Sequence, residues 1–261
     1  MLLRKSVFEY NMKSFLWGMM WFFLVYVGLF ILAVISSVWS SGAVQFNVGT
    51  VTTYGGSSFG GAEVMFFIAF MIACMADFTA EFHFMYQHGI SRRSHFANTV
   101  LFIVVGGAAL TAILHLSTAL FTLIGNAVQL QTVTIFSMVY GTWLGTVGTL
   151  GGVLMNLLFS WTMLLAAGVL GFFIAVLFYN LGKLGKTIFW AVIIGSSIFM
   201  PILNNLTGGR IGQAAIWFGQ TFIGRGDVPN PLNGIGVFLV LAIIGLIPCW
   251  LLIRRVKLKK V

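Results

Sequence analysis

Residues 77–95 read DFTAEFHFMYQHGISRRSH and form a short polar interruption between two apolar runs. The run before it is EVMFFIAFMIACMA, residues 63–76, and the run after it begins FANTVLFIVVGGAALTAILHL, residues 96–116. Ionisable side chains are costly in hydrocarbon, whereas apolar runs of this kind are suited to crossing it. We therefore expect the polar segment to face water and to join two membrane-spanning helices.

The composition places the chain in a membrane. It has 261 residues, of which 59% are hydrophobic and only 7% are charged, whereas soluble domains carry about 25% charged residues. The net charge of +9 does not indicate nucleic-acid binding, because the basic residues cluster at the ends of apolar runs, as membrane orientation requires. The sequence predicts an all-α membrane protein whose main surrounding is the lipid bilayer, with no nucleic acid as partner.

Apolar runs and charge placement predict six transmembrane helices in a single permease-like domain, residues 1–261. A bilayer core of about 30 Å needs about 20 apolar residues per helix. All lysines and arginines except Arg210 and Arg225 fall on one side, so both termini are expected in the cytoplasm. The predicted spans are residues 15–38, 62–76, 96–124, 152–179, 187–203 and 234–253.

Three further segments complete the predicted architecture. Residues 1–14 mix basic and apolar side chains, which favours an amphipathic interfacial helix on the inner membrane surface. Residues 126–150 are apolar but rich in Gly and Thr, which leaves a re-entrant, an interfacial or an extra spanning segment open; charge placement favours the outer or re-entrant position. Residues 204–233 are expected to form an outer loop with a re-entrant segment, IGQAAIWFGQTFIG, before the last span.

The apolar runs of this sequence contain few polar or ionisable residues that could form a functional site. No arrangement of nucleophile, acid and base is evident, so we do not expect an enzyme. The segment GKLGKT at 182–187 resembles the end of a phosphate-binding loop, but Asn180 stands where that pattern needs glycine. The histidines at 83, 88 and 95 lack a metal-ligand spacing and are interpreted as solvated. His115, within the third span, and Asn156 are candidates for a transport path, because polar groups at such depth are often functional.

The polar segment itself predicts a helix, a tight turn and a second helix. Apolar residues recur every three or four positions from Phe78 to Gly89, and Asp77 and Glu81 give the same helix an acidic side. Gly89 is suited to end that helix, and Ser91 is suited to cap a helix that begins at Arg92. Such an element at the inner surface could fit a groove on a soluble partner and move two spans together.

This arrangement resembles the permease subunit of an ABC-2-type ABC exporter. The resemblance rests on an amphipathic start, six spans with both ends inside, and EFHFMYQHGISRRSHF between spans two and three, with Gly-Ile-Ser-Arg-Arg at Gly89 to Arg93. The apolar region between spans three and four is longer than in a minimal version of the family pattern. In that family, the corresponding loop carries the coupling helix that docks on an ATP-binding subunit.

The resemblance implies a multi-pass protein of the bacterial cell membrane that forms the translocation path. ATP and Mg²⁺ would bind a separate ATP-binding subunit, so this chain needs no cofactor of its own, and a second permease copy or paralogue would complete a dimer. The cargo would be a peptide, an antibiotic or a lipid-like molecule. The docking residues implied are Glu81, Phe82, Tyr86, His88, Gly89, Ser91, Arg92 and Arg93. The alternative is a stand-alone secondary transporter or channel that works through His115, Asn156 and Asn180.

Overall fold

The structure is a computed structural model that describes residues 5–39, 58–60, 62–87, 89, 91–127, 131–141, 149–223 and 229–255. Over these residues the protein is almost entirely helical, with eight helices and one pair of three-residue strands. The helices are α1 (Lys5–Trp39), α2 (Ala62–Gln87), α3 (Arg92–Ala127), α4 (Ile135–Tyr140), α5 (Leu150–Asn180), α6 (Lys183–Leu206), α7 (Arg210–Ile223) and α8 (Pro231–Arg255). The strands are β1 (Ser58–Gly60) and β2 (Gln131–Val133).

Several helices are long and apolar enough to cross a membrane. Within the described residues, four helices meet this criterion by length and composition: the segment Phe15–Leu32 of α1, and α3, α5 and α8. Helix α2 contributes a shorter apolar segment, Ala62–Ala76. This confirms the expectation of a largely helical protein suited to a multi-pass position in a membrane. The count of six spans and the cytoplasmic position of both termini stay predictions.

The N-terminal segment, expected to be an interfacial helix, is helical from Lys5 onward; its position at the membrane surface stays a prediction. Residues 5–14 continue without a break into the apolar part of α1, while residues 1–4 lie outside the described part. The polar side chains in this region are compatible with a helix, and no glycine or proline separates them from the apolar run. Met12 and Phe15 already pack against the core of the bundle.

The ambiguous region 126–150 contains a strand and a short helix. Helix α4 has six residues, about 9 Å at 1.5 Å per residue, which is too short to span a bilayer. Thr134 and Ser137 form a capping box at its start, with each side chain bonded to the other's backbone N–H at 3.0 Å. Residues 131–141 therefore form no extra span, in agreement with the interpretation favoured by charge placement; residues 142–148 lie outside the described part.

Helix α5 is the centre of the bundle. It packs against α2, α3 and α8 and is buried at intervals along its whole length, from Gly152 to Tyr179. A Cβ atom at Gly171 would collide with the backbone carbonyl of Met71, and one at Gly168 would lie 2.8 Å from side-chain atoms of Ile103 and Phe70. Small residues thus allow α2, α3 and α5 to approach closely, as is typical of helices packed in lipid.

The two ends of the bundle differ in chemistry. At one end, here called the basic end, the α2–α3 turn and the C-terminal ends of α5 and α8 come together: Phe82 contacts Tyr179, and Arg92 bonds to the carbonyl of Arg254. At the other, the aromatic end, the rings of α4, α5, α7 and α8 form one cluster. Its rings are Phe136, Tyr140, Phe159, Phe222 and Phe238.

The aromatic end also holds α7 and the strand pair. Helix α7 has 14 residues, about 21 Å, and follows a turn in which Gly208 and Gly209 have positive φ. The Oδ1 atom of Asn204 accepts a hydrogen bond from the backbone N–H of Gly212 at 2.7 Å, which fixes α7 to the end of α6. The short helix coincides with the segment expected to be re-entrant; its depth in the membrane stays a prediction.

Candidate functional site

The turn between α2 and α3 has the local structure that the sequence predicts. Helix α2 ends at Gln87, Gly89 has a φ of 69°, and α3 begins at Arg92. The backbone N–H of Ser94 donates to Ser91 Oγ at 3.2 Å, and that of His95 donates to the Ser91 carbonyl at 3.0 Å. Ser91 is therefore the N-cap of α3. The left-handed conformation at Gly89 explains why glycine suits this position.

Phe82 lies inside the protein rather than on its surface. It is 3% exposed, and its ring contacts those of His95 and Tyr179 at centroid distances of 5.5 and 5.2 Å. Phe82 thus ties the end of α2 to the start of α3 and the end of α5. A buried ring cannot itself contact a partner, so its contribution to docking would be to hold the turn in place.

His95 is the main departure from the sequence-based interpretation. It was expected to be a solvated histidine, but it is 3% exposed and packs edge-on against Phe82. Its neighbours in the first turns of α3, Ser94 and Asn98, are buried as well. The flanking arginines indicate a surface, yet helical periodicity turns positions 94, 95 and 98 inward together.

The two arginines of the turn have different surroundings. Arg92 is half-buried, and its Nη1 donates to the carbonyl of Arg254 at 2.7 Å. The guanidinium of Arg254 in turn lies 5.8 Å from the ring centroid of Trp250. Arg93 is exposed. Arg92 therefore joins α3 to the C-terminal end of α8, and Arg93 is the cation that the turn presents to solvent.

Other predicted docking residues are described in part. Gly89 and Ser91 are exposed at the turn. Glu81 and Tyr86 belong to α2, but their side chains lie outside the described part of the structure, as does the whole of His88. Their docking role stays a prediction from the sequence.

The two transport-path candidates lie on different helices. His115 is in α3, where its Nδ1 is 3.0 Å from the carbonyl oxygen of Thr111, a distance that suits donation from a protonated Nδ1. Its buried Nε2 has no hydrogen-bond partner among the described residues. Asn156 is in α5, where its Oδ1 accepts from Ser160 Oγ at 3.5 Å. Each of these hydrogen bonds lies within a single helix, α3 for His115 and α5 for Asn156.

Glu63 is a buried functional group that the sequence analysis left aside. It is 3% exposed, and its Oε2 accepts a hydrogen bond from the backbone N–H of Ile135 at 2.6 Å. The carboxylate thereby links the first turn of α2 to the first residue of α4. The available signal was an acidic residue at the start of an otherwise apolar run.

Side chains that could bind a metal ion are not clustered in the part of the chain that the structure describes. It contains no group of three or more His, Cys, Asp or Glu side chains placed to hold a metal ion. Cys74 and Cys249 are both buried. The phosphate-loop-like segment 182–187 forms the start of α6, with Gly182 as N-cap.

Comparison with known proteins found no match: no family model, curated protein or solved structure is similar to this chain. Evidence on function therefore comes from the geometry of the chain itself. Its most informative feature is the α2–α3 turn at the basic end, which contacts the ends of α5 and α8 through Phe82–Tyr179 and Arg92–Arg254.

Proposed function

We propose that this chain is the membrane-spanning permease subunit of an ATP-driven exporter of the ABC-2 type. The main support for the proposal is the α2–α3 turn at the basic end. There Arg93 is exposed, Phe82 is buried, and Arg92 bonds to the carbonyl of Arg254. A soluble ATP-binding subunit that pressed on this turn would act directly on α2 and α3. Through Phe82–Tyr179 and Arg92–Arg254, the same push would reach α5 and α8.

The proposed division of labour leaves ATP hydrolysis to the partner. The docking surface comprises Gly89, Ser91, Arg92 and Arg93 of the turn, together with Glu81, Tyr86 and His88. The family resemblance implies a peptide, an antibiotic or a lipid-like molecule as cargo, and the apolar spans favour an amphipathic or hydrophobic cargo over a small ion. A second copy of the chain, or a paralogue, completes the path, and the basic end lies in the cytoplasm of a bacterial cell.

Co-purification of an ATP-binding subunit tests this proposal. The tagged chain, isolated in mild detergent from its own cells, is expected to retain such a subunit. Arg93→Glu is expected to lower the retained amount about tenfold, which corresponds to about 1.4 kcal/mol of binding free energy. Arg255→Glu is the matched control, because it reverses an exposed cation at the same end of the bundle but outside the turn.

Two outcomes would contradict the proposal. One is undiminished, ATP-dependent transport after combined substitution of Glu81, Tyr86 and Arg93. The other is transport by the purified chain in liposomes that contain no ATPase.

The second of these outcomes would favour a stand-alone transporter or channel. The observation behind that alternative is the presence of buried polar atoms without described partners: Nε2 of His115 and both amide atoms of Asn98. Such groups deep in a helical bundle often mark an ion or substrate route. In that case His115→Ala would abolish ATP-independent transport, whereas it would leave coupling to an ATPase intact under the main proposal.

A further inference from the structure

A cleft at the basic end lies between α2, α5 and α6. Its volume is about 530 Å³, within the range of small-molecule sites. The described residues that line it are Ile72, Met75, Ala76, Ala175, Phe178, Tyr179 and Lys186. Its described lining includes none of the residues of the proposed docking surface.

The walls of the cleft are suited to a hydrocarbon chain. Met75 and Phe178 are partly buried, and Ile72 and Ala76 are exposed at its rim. Ile72 and Ala76 belong to the shorter apolar segment of α2, Ala62–Ala76. An exposed apolar rim at this level would face lipid, so the cleft can receive a chain directly from the bilayer.

The polar end of the cleft carries positive charge. Lys186 is the one charged side chain among its described lining residues, and it lies in the first turns of α6. Lys186 is exposed, and its charge adds to the partial positive charge of the helix N-terminus, so this end of the cleft favours an anion. The first turn of α6 contains no acidic residue, and its N-cap, Gly182, supplies no side-chain hydrogen bond.

We propose that this cleft binds an anionic phospholipid, with its phosphate at Lys186 and the start of α6 and one acyl chain along Ile72, Met75 and Phe178. The apolar walls favour a lipid over a soluble phosphate, because a soluble anion would leave them unused. The single cation favours an anionic headgroup over a zwitterionic one, since basic pockets between membrane helices select anionic lipids. This proposal is independent of any ATP-binding partner.

Lipid retention measured by native mass spectrometry tests the proposal. The purified chain is incubated with equal amounts of phosphatidylglycerol and phosphatidylcholine in detergent, and bound lipids are counted. The unsubstituted chain is expected to retain mainly phosphatidylglycerol. Lys186→Gln is expected to lower that retention about fivefold, whereas Arg255→Gln, an exposed cation at the same end but outside the cleft, leaves it unchanged.

A second variant fills the cleft without changing charge. Ala76→Trp places a large side chain at the exposed rim and is expected to reduce phosphatidylglycerol binding while Lys186 remains. Glycerol phosphate, added in excess, is expected not to displace the lipid. Equal retention in the parent and Lys186→Gln chains, unchanged binding in Ala76→Trp, or displacement by glycerol phosphate would each overturn the proposal.

Discussion

At the scale of single residues, removal of the Glu63 side chain is expected to give the clearest loss of stability. The structure buries its carboxylate and gives it the backbone N–H of Ile135 as partner. A buried donor that loses its acceptor costs about 1 to 3 kcal/mol. Glu63 therefore stabilises the start of α4 from a helix that lies far away in the sequence.

We expect Glu63→Ala to lower the free energy of unfolding by about 2 kcal/mol. Glu63→Gln should cost less, because its amide oxygen can still accept the Ile135 N–H. Thermal unfolding in detergent measures both, and amide exchange at Ile135 should rise in the alanine variant. Val64→Ala is the control, since Val64 lies in the same helical turn but is 46% exposed. Equal melting temperatures for Glu63→Ala and Val64→Ala would refute the assignment.

Residues that act on their immediate neighbours were predictable from the sequence. Gly89 and Ser91 determine the α2–α3 turn through their own backbone and cap, which are local properties. The partner of Glu63 is 72 positions away, so no local pattern could point to it. The prediction that His95 is solvated was wrong, because the residues next to it in sequence are charged whereas its contacts in space include the apolar ring of Phe82.

At the scale of elements, Tyr140 joins the short helices of the aromatic end. Its hydroxyl donates to the carbonyl of Phe222 in α7 at 2.8 Å. Burial raises the pKa of Tyr140 to about 12, so the hydroxyl keeps the proton it donates at neutral pH. The ring also packs on Phe136 and Phe159. Helix α7 is therefore held by one hydrogen bond and by ring contacts.

Tyr140→Phe is expected to loosen α7 while the ring contacts remain. The loss of one buried hydrogen bond should cost about 1 kcal/mol and speed amide exchange in α7. Thr221→Val is the matched control. It removes the hydrogen bond from the Thr221 hydroxyl to the carbonyl of Trp217, and this bond is exposed and lies within α7 itself. If both variants changed α7 exchange equally, Tyr140 would not be its anchor.

The lengths of the elements were predictable to different degrees. A short element at 211–224 was predicted because its apolar run is shorter than a bilayer, and α7 occupies Arg210–Ile223; its outer position stays a prediction. The continuity of α1 was not foreseen, since charged residues near Lys13 indicated a change of surroundings. Helix propensity does not change there, so the backbone continues.

At the scale of the whole molecule, the basic and aromatic ends predict an orientation in the membrane. The cytoplasmic side of a membrane protein is enriched in Lys and Arg. The basic end, with Arg92, Arg93, Arg254 and Arg255, is therefore expected inside the cell. The aromatic end, which includes α7, is expected outside.

Cysteine labelling in intact cells tests this orientation. Arg93→Cys should resist a membrane-impermeant thiol reagent until the cells are opened, whereas Gln220→Cys in α7 should react at once. Both positions are exposed, and the natural Cys74 and Cys249 are buried and should give little background. Immediate labelling of Arg93→Cys would show that the basic end lies outside the cell. That result would contradict both the proposed topology and docking from the cytoplasm.

The arrangement of the helices could not be read from the sequence, although their existence could. Helix α5 is apolar around its circumference, so hydropathy gives no face for its partners. In lipid, the choice of neighbours depends on small residues and shape rather than on apolar area. Gly168 and Gly171 decide where α2 and α3 approach, but many other glycines in this chain make no such contact.

The parallel pairing of β1 with β2 has a consequence for biosynthesis. Ser58 pairs with Gln131 and Gly60 with Val133, so the strands enclose α2, the turn and α3 within one closed loop of chain. Because β2 follows α2 and α3 in the chain, the two strands cannot pair until both helices have been synthesised. The strand pair then closes a loop whose entropic cost grows only slowly with length. Strand pairing is therefore expected to be a late step, after α2 and α3 have formed.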